Sequence, residues 1–166
     1  MPARRRAHAA GIVVGGAIAG GLATLPMSVV MFAAKGAGLM GEMPPAKITA
    51  RLLDRFGWRR RSAASQDGVA SVAHLAFGAA GGAAFAALVR GLRVPGPPVL
   101  AGMMFGACVW LVSYQGWVPA LAIMPPPRRD RPGRPESMLV AHLVYGAALG
   151  ALVGRPARRE KRPGTS

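Results

Sequence analysis

The sequence predicts an all-α membrane protein: four transmembrane helices in two tandem helix-pair repeats, plus a short interfacial amphipathic helix. Three observations predict it. Charged residues are missing from four long intervals, an eleven-residue motif occurs twice, and every apolar interval carries glycines four apart. The composition agrees, because 52% of the 166 residues are hydrophobic and only 16% are charged, against about 25% charged in soluble domains. Disordered chains are poor in apolar residues, so disorder is excluded for most of the length.

The uncharged intervals run over residues 7–34, 68–89, 94–127 and 137–154. A bilayer core of ~30 Å needs roughly 20 apolar residues as a helix rising 1.5 Å per residue. All four intervals reach that length, and the spans are expected at about 9–34, 68–89, 99–124 and 137–154, together one transmembrane domain over 1–154. Pro95, Pro97 and Pro98 on one side and Pro125 to Pro127 on the other delimit the third span, since proline lacks an N–H and restricts the residue before it. Arg4 to Arg6 before an apolar run resemble a secretory signal. The run continues to Ala34, which suits an uncleaved first span. Residues 155–166 read as a basic disordered tail.

Between the first two spans, Pro44-Pro45 opens and Gly57 closes a stretch expected as a helix over about 45–56. Ile48, Leu52, Leu53 and Phe56 fall on one face of it, and Lys47, Arg51, Asp54 and Arg55 cover the rest. That pattern suits a helix lying in the membrane interface.

Residues 73–83 read AHLAFGAAGGA and residues 141–151 read AHLVYGAALGA, with eight of eleven positions identical. An even number of spans per repeat keeps the orientation, so the halves are expected to be related by an axis along the membrane normal. The Gly-x-x-x-Gly pairs are Gly16 and Gly20, Gly78 and Gly82, Gly102 and Gly106, and Gly146 and Gly150. Glycines so spaced let helix backbones approach closely where lipid removes the hydrophobic drive for association. His74 and His142 each precede a glycine by four and share its face, so both are expected to point into the bundle as a candidate polar pathway or ligand pair. Two inward imidazoles suit haem ligation in a four-helix bundle. They equally suit hydrogen bonding between helices, or a pathway for protons or a small solute. Pro26 marks a candidate kink in the first helix, with Ser28 near the carbonyl it would free. Trp110, Tyr114 and Trp117 form a stripe in the third, where Trp117 suits an aromatic belt. Cys108 reads as a small buried side chain.

One cysteine cannot make a disulfide within the chain or a cysteine-rich zinc site. The six acidic residues leave little for a carboxylate-based metal site, and no nucleophile triad or phosphate loop appears. An enzyme is therefore not expected. The formal charge of +15 sits in the loops, where it suits anionic lipid headgroups rather than nucleic acid. Cations at both termini favour a cytoplasmic location for them. Glycine faces left over after bundling could serve a homo-oligomer or a membrane partner.

The stretch GGLATLPMSVVMFAAKGAGLMGEMPP, residues 20–45, resembles the opening of small bacterial multi-span membrane proteins of unknown function, a grouping that includes YagU-like inner-membrane proteins. AHLVYGAALGALVG, residues 141–154, is similar to their last helix. The resemblance implies a bacterial inner-membrane location and brings no catalytic residue, cofactor or substrate. The expected function is a non-enzymatic bundle without cofactor, an accessory subunit or a small proton or solute conduit. The alternative is a haem-binding electron-transfer subunit using His74 and His142.

Overall fold

The computed structural model describes residues 2–57, 63–92 and 95–154. The tail at 155–166 lies outside them. The described residues form helices and turns and no strand.

Helix α1 spans Pro2–Gly36 and runs unbroken through Pro26. Helix α2, Pro44–Arg55, begins where Pro44 and Pro45 hold Met43 extended and ends before Gly57, which takes φ +71°. Helix α3 covers Ala63–Leu92 and α4 covers Pro98–Trp110. The chain then widens into a π-helical segment, Leu111–Trp117, and closes with the short α5, Val118–Ala120. Two local features loosen the regular ladder there. The Ser113 hydroxyl donates to the Val109 carbonyl at 2.6 Å, and Pro119 has no N–H to give. After a 3₁₀ turn at Pro127–Arg129, α6 covers Arg134–Val153, entered from Gly133 at φ +85°. Four helical stretches are long and apolar enough to cross a membrane: Arg6–Gly36, Gln66–Leu92, Pro98–Ala120 and Arg134–Val153. The chain is a multi-pass helical membrane protein.

Two expectations need correction. The third span stops at Ala120 instead of running to about Met124. Ala122 adopts a left-handed conformation (φ 54°), and the Ile123 N–H returns to the Val118 carbonyl at 3.1 Å. Ile123 and Met124 thereby fold back into the core, where both are buried. Cys108 is exposed, because the same helix turns Gly102 and Gly106 toward its neighbour and leaves Cys108 on another face.

Helix α1 packs on α3 and α6, α4 packs on α6, and α2 lies against α3. Within each pair the seam is glycine. A Cβ on Gly20 would collide with the Gly78 carbonyl and Gly82, and one on Gly82 with the Gly16 carbonyl. In the second pair a Cβ on Gly102 would strike the Gly146 carbonyl, and one on Gly106 the His142 carbonyl. Gly150 rests against the Pro98 carbonyl in the same way. These are backbone-to-backbone contacts that any side chain would prevent. In both pairs the numbering runs in opposite senses along the seam, so each pair is antiparallel. Between the pairs, α1 and α6 bury Ala23, Met27, Met31, Ala141 and Leu149. Phe85 of α3 meets Phe105 of α4 with ring centroids 5.2 Å apart.

The end of the bundle holding the 37–43 and 121–133 loops is tied by a polar cluster. Asp130, its side chain 2% exposed, accepts from Arg134 Nη1 at 2.8 Å through Oδ1. Its Oδ2 accepts from the Tyr114 hydroxyl. A carboxylate so buried persists because a cation and hydrogen bonds compensate its lost hydration. The tie pins the loop before α6 to the π-helical segment.

Candidate functional site

A cavity of about 450 Å³ lies between α1, α2, α3, the α4–π segment and α6. That is within the range of small-molecule sites. Met27 and Met31 come from α1, Ile48 and Leu52 from α2, Phe77, Ala80 and Ala84 from α3, and Tyr114 and Trp117 from the π segment. Met124 and Met138 complete the side nearest the loops. No Lys, Arg, Asp or Glu lines it. Phe77, Ala80 and Ala84, midway along α3, line the cavity and are exposed. The opening is therefore lateral, within the part of α3 that can span the membrane.

Both histidines line this cavity, and their settings differ. His142 is 6% exposed. Its Nδ1 lies 2.7 Å from the Met138 carbonyl, which can only accept, so Nδ1 carries the proton. In the neutral ring Nε2 is then an unprotonated acceptor. His74 is half-buried, and its Nε2 is buried without a hydrogen-bond partner. Of the glycines singled out in the sequence, Gly78 lines the cavity, while all eight stand on the helix seams. Pro26 does not line it.

Five hydroxyls also line the cavity, those of Thr24, Thr49, Ser113, Tyr114 and Tyr145. Thr24 donates to the Gly21 carbonyl at 2.6 Å, Ser113 to Val109, Tyr114 to Asp130, and Tyr145 to the Gly78 carbonyl at 2.7 Å. The Tyr145 bond joins α6 to α3 across the cavity. In the sequence Tyr145 stands at the position of residues 141–151 that Phe77 holds in residues 73–83, and Tyr114 belongs to an aromatic stripe. Their partners lie 67 and 16 residues away, and no local pattern announces such pairings. Among the described residues, no three of His, Cys, Asp and Glu come together as a metal site.

Residues 10–163 match the family model described as a family of unknown function, DUF6789. The chain belongs to that family. No curated protein and no solved structure matches it. The match takes in all four spans and the cavity of this DUF6789 protein, and it assigns no residue a role.

Proposed function

We propose that the protein is a non-enzymatic binding bundle whose cavity holds a small lipophilic molecule, so that it works as an accessory subunit or as a conduit for such a solute. The observation that carries this reading is the uncharged, mostly apolar cavity that opens sideways through α3. A pathway for ions would place charged groups along its length, whereas no Lys, Arg, Asp or Glu lines this cavity. The tandem-repeat symmetry, a resting place for α2 in the headgroup region and attraction of the basic loops to anionic lipids belong to the same proposal. So do a YagU-like kinship, a bacterial inner-membrane location and cytoplasmic termini. Ile48 and Leu52 of α2 reach into the cavity lining while Phe56 stays 76% exposed, which suits a helix bridging bundle and interface.

The test is native mass spectrometry of the protein released from lipid nanodiscs. Wild type is expected to carry one lipophilic molecule per chain through solvent-free ejection. Ala80→Leu narrows the opening from an exposed position and leaves the glycine seams alone, and it is expected to lose that mass while remaining folded. Equal masses in both would refute the reading.

Haem ligation is the second reading, and one observation favours it. The Nδ1 bond to Met138 orients the His142 ring and leaves Nε2 as a ligand, the usual outer-shell arrangement for a ligating histidine. His74, with its Nε2 buried, would have to turn to reach the same iron. Oxidised and reduced absorbance spectra of protein purified from haem-supplied cells decide it: a Soret band lost in a His74→Ala, His142→Ala variant establishes ligation, and a colourless wild type removes it.

A further inference from the structure

We infer that the occupant of the cavity is a lipophilic alcohol, held by a hydrogen bond from its hydroxyl to Nε2 of His142. This rests on the cavity reading above and adds the chemistry of the head group. Four hydroxyl protons and one ring proton in the lining are already committed. Thr24, Ser113, Tyr114 and Tyr145 each have one hydroxyl hydrogen, and each gives it to a protein acceptor. The ring proton of His142 goes to the Met138 carbonyl. These groups therefore offer the interior of the cavity lone pairs and no hydrogens.

Donors lie elsewhere. His74 lines the cavity, with its Nε2 buried and without a hydrogen-bond partner. The Thr49 hydroxyl on α2 and the Trp117 indole at the end of the π segment line the cavity at its loop end. A head group carrying only acceptors, such as an ether, ester or quinone, has no hydrogen to give to Nε2 of His142, which is itself an acceptor. An unpaired buried polar atom is costly, and sites built around one hydrogen bond reject analogues that cannot make it. An alcohol supplies the missing hydrogen, and the uncharged wall accepts its hydrocarbon tail. A charged amine would also donate, but no lining carboxylate compensates its desolvation.

The experiment compares farnesol with farnesyl methyl ether, which keeps the tail and the oxygen and removes the hydrogen. Binding of each is measured by isothermal titration to the full chain in nanodiscs. Wild type is expected to prefer the alcohol by about tenfold. His142→Phe keeps the ring volume and removes the acceptor, and it should bring the alcohol down to the affinity of the ether. Equal binding of both by wild type would overturn the alcohol inference while leaving the cavity reading intact. Binding of neither would overturn both. The wild-type comparison stands even where the variant fails to fold.

Discussion

In the α1/α3 pair Gly16 and Gly20 face Gly78 and Gly82; in the α4/α6 pair Gly102 and Gly106 face Gly146 and Gly150. The two seams are made alike, backbone on backbone, yet the polar groups around them differ. His142 is hydrogen-bonded at Nδ1, while His74 keeps a buried nitrogen without partner. Tyr145 reaches the Gly78 carbonyl, while its counterpart Phe77 has no hydroxyl and is 51% exposed at the cavity opening. Among the described residues, the second pair has the Tyr114–Asp130–Arg134 tie at its end. Glycine lines the seam in both pairs, and the different side chains around the two seams shape a cavity with one hydrogen-bonded imidazole and one exposed side.

The sharpest way to break this asymmetry is Asp130→Ala. It strands Arg134, which is 7% exposed and already has an unpartnered Nε, and it frees the Tyr114 hydroxyl. A loss of about 3 kcal/mol or more is expected, as for other broken buried pairs, read by unfolding in mixed micelles of increasing denaturing detergent. Next in size, Gly82→Leu and Gly146→Leu should each cost about 1–3 kcal/mol by overpacking, one in each half. Similar losses would confirm that the seams are equivalent; a loss confined to one would break the comparison. The smallest effect is Tyr145→Phe, which makes the second half resemble the first. Hydrogen bonds between membrane helices average about 0.6 kcal/mol, so the same assay should show a change of that order.

The spans were legible because charge is excluded from a bilayer core: intervals without Lys, Arg, Asp or Glu mark what can lie in lipid. They do not mark helix ends. Helix α1 continues outward past Arg6 to Pro2, since a helix can leave the membrane still hydrogen-bonded. In the third span the apolar count ran on to Met124, because Ile123 and Met124 are apolar whether they cross the bilayer or fold under the bundle. The π segment was equally hidden, with Ser113 and Pro119 each compatible with an ordinary membrane helix. Glycine spacing showed which faces meet. The cavity was invisible, because it is the space left among five elements distant in sequence, and its hydrogen-bond state depends on carbonyls that every residue possesses.

Trp117 lines the cavity and can report directly whether a lipophilic molecule enters it from the bilayer. In a Trp58→Phe, Trp110→Phe background, the remaining indole is followed in vesicles whose acyl chains carry bromine. The account predicts that Trp117 is quenched through the lateral opening, that farnesol relieves the quenching saturably, and that Ala80→Leu abolishes the relief. Fluorescence unaffected by farnesol in the Ala80-containing protein would contradict it.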